Sequence, residues 1–141
     1  MKQKAEPTKT ALFYDNRKNA FKNLRNNVKI VNREISVAEL TQMSEKMFGE
    51  LVKAVVDIEK EIIVVDAELH SDQECLLLEQ GSKQKNIWGI NLYPKKFGDQ
   101  GWIEFDSMIN IRPRHDNKSR GVDNPKLQEK IIKIVNKLVK K

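Results

Sequence analysis

Two adjoining runs, Asn86-Ile-Trp-Gly-Ile-Asn-Leu-Tyr-Pro94 and Trp102-Ile-Glu-Phe-Asp-Ser-Met-Ile-Asn-Ile-Arg-Pro113, carry the clearest pattern in this 141-residue chain. The second alternates without a break. Ile103, Phe105, Ser107, Ile109 and Ile111 fall on one side; Trp102, Glu104, Asp106, Met108, Asn110 and Arg112 fall on the other. Period two predicts a strand with one face on a core. In the first run Trp88, Ile90 and Leu92 share the core register, while Gly89, Asn91 and Tyr93 share the polar one. The polar face mixes two carboxylates, an amide and a guanidinium with Trp102 and Met108. Those two apolar side chains imply partial cover by a ligand, a partner or a loop.

Working outward, the same chemistry of caps and periods divides the rest of the chain. Towards the N-terminus, Val28–Ile35 reads as a strand, and Ser36-Val-Ala-Glu39 as a capping box. The box opens a helix with Leu40, Met43, Met47 and Leu51 on one stripe, a spacing that needs core packing and no cofactor. Two strands, Lys53–Ile58 and Glu61–Leu69, joined at Glu59-Lys60, form a hairpin. Ser71-Asp-Gln-Glu74 is a second capping box, and Gly81 is placed to end its helix in a left-handed cap. Cys75 sits in that helix, where a small buried hydrophobe is the simplest role. Towards the C-terminus, Arg114–Asp123 is turn-rich, and Asn124-Pro125 supplies a cap and a first-turn proline. The last helix carries Leu127, Ile131, Ile134, Val135 and Leu138 on one face. The order β-α-β-β-α-β-β-α predicts an α+β domain over residues 28–141, with helices packed on one face of a mostly antiparallel sheet.

Residues 1–27 differ in kind, with scattered lysines, Pro7 and five asparagines. A short basic helix around Asn16–Asn27 and a poorly ordered extension both fit; the composition favours the extension. Charge is uneven along the chain. Residues 1–30 carry a net +6, residues 124–141 a net +5 and the stretch 31–123 a net −5. The N-terminal extension and the C-terminal helix are therefore the places where nucleic acid would bind non-specifically. The abundance of Asn, Lys and Ile explains the same charge as compositional habit. No apolar run is long enough to span a bilayer and no secretory signal is recognisable, so membrane association is not expected. Cys75 as the only cysteine fits a reducing compartment, and the expected location is the cytoplasm.

Chemistry could sit on the polar sheet face. Asp66 with Glu68, and Glu104 with Asp106, are i, i+2 pairs whose carboxylates point the same way along extended strands. With His70 they form an oxygen-rich set suited to Mg or Mn, and a metal so held activates water for hydrolysis. Glu104, Asp106 and His70 are then the catalytic candidates. The plainer reading is an ordinary solvated sheet face with Arg112 balancing a carboxylate. Asn91, Tyr93, Asn110 and Arg112, with Ser119 and Arg120 of the loop Asn117–Val122, form a candidate ligand-binding set. No phosphate-loop spacing and no nucleophile triad is present.

The motifs Asp66-Ala-Glu-Leu-His70, Gly81-Ser-Lys-Gln84, Trp88-Gly-Ile-Asn-Leu-Tyr-Pro94, Trp102–Pro113 and Ser119-Arg-Gly121 together resemble a small prokaryotic family catalogued as a domain of unknown function. The likeness covers about residues 29–141. It implies a stand-alone prokaryotic domain and carries no catalytic residue. The reading that joins these strands is a cytoplasmic binding or regulatory domain with a polar sheet-face site. The alternatives are a divalent-metal-dependent hydrolase or nuclease using the paired carboxylates, and a small ribonuclease-like toxin resting on size and layout.

Overall fold

Strand formation starts where branched residues cluster: β3 (Val52–Asp57) and β4 (Ile62–Val65) pair antiparallel in a computed structural model that describes residues 28–141. The extension expected over residues 1–27 lies outside the described residues. Asp57 closes the hairpin, its carboxylate accepting from the N–H groups of Glu59 (2.9 Å) and Lys60 (3.1 Å). Four residues rather than two make the turn, because Glu61 takes a left-handed φ of 54° before pairing resumes. β1 (Lys29–Val31) lies against β4, and β5 (Ile87–Leu92) against β3. β6 (Ile103–Glu104) completes the antiparallel sheet in the order β1-β4-β3-β5-β6.

Three helices cover this sheet. α1 (Val37–Lys46) begins at Ser36, whose Oγ accepts from Glu39 N–H at 3.1 Å. The return half of the expected capping box is replaced, since Glu39 instead pairs with Lys29 at 2.8 Å. α3 (Pro125–Leu138) is capped by Asn124 and buries Ile131, Ile134, Val135 and Leu138, the stripe its periodicity predicts. The chain then leaves the helix, and β7 (Val139–Lys140) pairs in parallel with β2 (Ile35–Ser36). α1 and α3 bury one sheet face, with Leu40, Val56, Ile63, Ile90 and Ile131 at its centre. Each such side chain contributes roughly 1.5–3 kcal/mol by leaving water.

The α+β class and the mostly antiparallel sheet follow the expectation; the packing of all helices on one face does not. α2 (His70–Glu79) lies on the opposite face, where Leu76 and Leu77 meet Val55, Val64 and Ile87. The strands β3 to β5 are apolar on both sides, so a helix is needed on each. α2 also starts one residue before the expected capping serine. Leu69 is its cap residue and offers no side-chain acceptor. Burial of His70 sets this start, since its ring reaches Ile90 O, leaving Ser71 inside the first turn. The helix buries Gln73, Leu76 and Leu77; Cys75 falls off that stripe and is exposed rather than buried. Gly81 ends the helix region at φ 90°, as its position predicts.

The expected strand Trp102–Pro113 stops after Glu104. Met108–Asn110 and Pro113–His115 are single 3-10 turns. Ser107 turns the chain, its Oγ accepting from Ile109 N–H at 3.3 Å. Likewise β4 ends at Val65, because Asp66 adopts a left-handed φ of 66°. Trp102 belongs to the main core, not the polar face: it is 4% exposed, meets Phe97 edge-on at 5.0 Å and donates to Asn136 Oδ1 at 3.3 Å. Among the described residues no helix is long and apolar enough to cross a membrane.

Candidate functional site

The face covered by α2 is only partly covered. Register places Lys53 opposite Asn91, Val55 opposite Gly89, and Asn91 opposite Glu104, so these side chains share that face. α2 occupies the Val55–Ile87 end and leaves the Lys53–Asn91 end open at its own N-terminus. The segment Phe105–Asn110 closes the third side. It crosses directly over Gly89, where a Cβ would stand 2.6 Å from both Cβ and Oγ of Ser107. Between these walls lies a cavity of about 300 Å³. Lys53, His70, Ser71, Asn91, Asp106 and Arg120 supply its polar lining; Leu69, Met108 and Ile109 supply its apolar edge.

Each polar group has a defined state. His70 is buried, and its Nε2 lies 2.7 Å from Ile90 O; a carbonyl only accepts, so Nε2 carries the proton. Burial is the main force holding the imidazole below its ordinary pKa, and Lys53 and Arg120 push the same way. The Ile90 hydrogen bond and Asp106 oppose them. The neutral ring therefore keeps its lone pair on Nδ1. Asp106 accepts from Arg120 Nε at 2.6 Å, an ion pair about half exposed on each side and of modest energetic weight. Asn91 is 6% exposed, and its Nδ2 donates to Glu104 Oε1 (2.8 Å) and to Asp106 O (3.3 Å). Both partners can only accept, so the amide orientation is fixed. That leaves Asn91 Oδ1 buried with no hydrogen-bond partner.

Of the residues expected from sequence, His70, Asn91, Asp106 and Arg120 come together here. Glu104 stands behind them, accepting from Asn91 and, at 3.2 Å, from Tyr93 OH. Burial and the Glu104 charge raise the Tyr93 pKa. Asn110, Arg112 and Ser119 have other work. Asn110 is fully buried and pairs with Gly89 and Arg120 backbone. Arg112 donates to the carbonyls of Ile109, Gln84 and Ile87, and its guanidinium lies 4.6 Å from the Trp88 ring centre. Ser119 donates to Asp123, while Asn117 binds the carbonyls of Asn110, Ser119 and Gly121 and shapes that loop.

The four carboxylates expected to converge are not brought together. Asp66 and Glu68 leave the sheet in the β4–α2 connection, Glu104 serves Asn91 and Tyr93, and Asp106 serves Arg120. Among the described residues no three His, Cys, Asp or Glu side chains are grouped to hold a metal ion. Lys53, Ser71 and Ser107 were not among the expected site residues. Lys53 carried a usable signal, as the one charged residue inside the apolar run Val52–Val56.

Fold and cavity together define a small α+β domain with a polar, partly apolar-edged pocket between a helix N-terminus and an open sheet face. The chain belongs to the family described as "Protein of unknown function (DUF5674)", whose model matches residues 29–138. No curated protein and no solved structure matches the chain.

Proposed function

We propose that this chain is a binding domain for a small ligand, with the cavity at the N-terminus of α2 as its site. The observation that carries the reading is Asn91 Oδ1. A buried acceptor without a partner costs about 1–3 kcal/mol. Among the described residues Gln73 Oε1, Glu74 Oε2 and Trp88 Nε1 also lack a hydrogen-bond partner, but of these four residues Asn91 is the one that lines the cavity. A ligand donor seated in the cavity would satisfy it. The cavity is at the small end of the range for ligand pockets, and its mix of apolar edge and few convergent polar groups is what such pockets require. We also propose a cytoplasmic setting, which suits a chain with one cysteine.

The test is an amide NMR screen of the full chain against mixtures of small polar metabolites. Hits are expected to perturb His70, Ser71, Asn91, Ser107 and Arg120 as one group. Hits that map only elsewhere, or none at all, would overturn the reading.

One observation favours a second reading, a metal-independent ribonuclease-like activity. His70 has its lone pair on Nδ1 and lies within electrostatic reach of Lys53 and Arg120, a base beside two cations. Cleavage of single-stranded RNA in chelator, lost in His70→Gln with the fold retained, would establish it. Inert RNA at micromolar protein would remove it. The paired-carboxylate hydrolase draws no support from the positions of Asp66, Glu68, Glu104 and Asp106.

A further inference from the structure

Resting on the cavity being a binding site, we infer that its ligand is a small monocarboxylate bearing a hydroxyl or ammonium group beside the carboxylate and a short branched apolar tail. Three features of the cavity point to that class, and each selects a different part of the molecule.

Charge selects the acid. Lys53 and Arg120 are the cations of the lining, but Arg120 already holds Asp106 at 2.6 Å. Lys53 has no carboxylate partner among the described residues; its ammonium rests 5.1 Å from the Phe48 ring centre. The remaining positive potential is one ammonium plus the first turn of α2, whose Leu69 cap gives its N–H groups no side-chain acceptor and which carries Asp72 as an opposing charge. This surplus balances at most one negative charge. A phosphate monoester, with nearly two, would leave a charge unmatched beside Asp106.

The unpaired acceptors select the donor. Asn91 Oδ1 is fixed as an acceptor by its amide's two other bonds, and His70 Nδ1 is the lone-pair nitrogen while Nε2–H is held by Ile90 O. A simple carboxylate has nothing to give them, whereas a hydroxyl or ammonium does. The edge selects the tail. Leu69 is 53% exposed and Met108 65% exposed, and with Ile109 they form an apolar lip on the cavity. Leu and Met left this open gain by covering a branched aliphatic group.

The experiment is an amide NMR titration of the full chain with four probes: 2-hydroxy-4-methylpentanoate, leucine, 4-methylpentanoate and inorganic phosphate. The hydroxy or amino acid is expected to shift His70, Ser71, Asn91 and Ser107. 4-methylpentanoate, which lacks the donor, is expected to bind at least about tenfold more weakly, the equivalent of one hydrogen bond to a buried acceptor. Lys53→Met should abolish the response and Lys53→Arg should keep part of it, with the remaining amide spectrum unchanged in both. Equal binding of 4-methylpentanoate overturns the donor assignment, and preferential binding of phosphate overturns the carboxylate. If none of the four binds while a screened metabolite shifts the same amides, the ligand class is wrong and the pocket stands. If nothing shifts those amides, the pocket itself is refuted.

Discussion

The Asn110 side chain acts as a strand partner for Gly89: Oδ1 accepts from Gly89 N–H at 2.8 Å, and Nδ2 donates to Gly89 O at 2.9 Å. One side-chain amide thus continues the ladder of β5 beyond the two residues of β6. Its second N–H reaches Arg120 O at 3.0 Å and ties the pocket loop to the same point. Asn110→Leu leaves Gly89 N–H and Gly89 O unpaired, whereas Arg120 O keeps its bond from Ser107 N–H at 2.9 Å, and the change should cost about 2 kcal/mol or more. Asn110→Asp should be no milder at neutral pH, since it turns a donor into a charged acceptor facing two carbonyls. Urea unfolding with unchanged m-value is the measurement. A loss below about 1 kcal/mol would mean that water replaces the amide.

Gly89 is required for a related reason, because Ser107 passes over it. A Cβ on Gly89 would meet Ser107 Cβ and Oγ at 2.6 Å, closer than real contacts allow. Gly89→Ala should therefore lower stability by about 1–3 kcal/mol, the range for overpacking. Ser107→Gly removes the obstacle, so the double variant should be less unstable than the sum of the single ones. A double-mutant cycle on urea midpoints gives that coupling energy, and strict additivity would show that the two residues do not collide.

Much of the architecture was legible because local chemistry and tertiary packing agree. Ser36 and Asn124 mark helix starts, the α3 stripe marks its buried face, and Gly89 and Asn91 alternate correctly against Trp88, Ile90 and Leu92. After Phe105 that agreement ends. Ile109 and Ile111 keep the period of a strand, yet Ser107 takes the Ile109 N–H and the backbone turns. Period two in a sequence reports which residues are apolar, not whether a partner strand exists to bond the backbone. The partner here is an amide side chain, which no periodicity reveals. The face chosen by α2 was hidden as well, because Leu76-Leu77-Leu78 is a run without a stripe. At the site, His70, Asn91 and Asp106 were visible as residues of the polar face, and Arg120 as a donor of the loop Asn117–Val122. Lys53 showed only as a charge inside an apolar run, and its part in the site depends on the register that sets it opposite Asn91.

Arg112 shows how a residue chosen for binding can serve the fold instead. Its fork donates to three carbonyls, its plane stacks on Trp88, and Glu74 stands 3.8 Å away. Burial lowers the Arg112 pKa and raises that of Glu74, so the pair is held at a desolvation cost. Arg112→Lys keeps the charge but cannot serve three diverging acceptors or stack, and should lose about 2–4 kcal/mol. Thermal unfolding checks the loss. Full stability in the lysine variant would show that charge alone matters there.

Acid should weaken the fold through His70. Its folded-state pKa lies below the ordinary 6.5, because burial disfavours the cation. As pH falls, the unfolded chain takes up this proton first. Stability is therefore complete above the unfolded value and declines as pH drops through 6.5 towards the folded value, where the decline ends. His70→Gln removes the titration, so its stability curve should be flatter than that of the parent over this window. It should also be lower at pH 7.5 by about 1 kcal/mol, from loss of the bond to Ile90 O. Urea midpoints at half-unit steps from pH 7.5 to 5 compare the two. Parallel curves would mean that His70 is already solvated in the folded protein, and a direct imidazole titration with a midpoint at or above 6.5 would say the same.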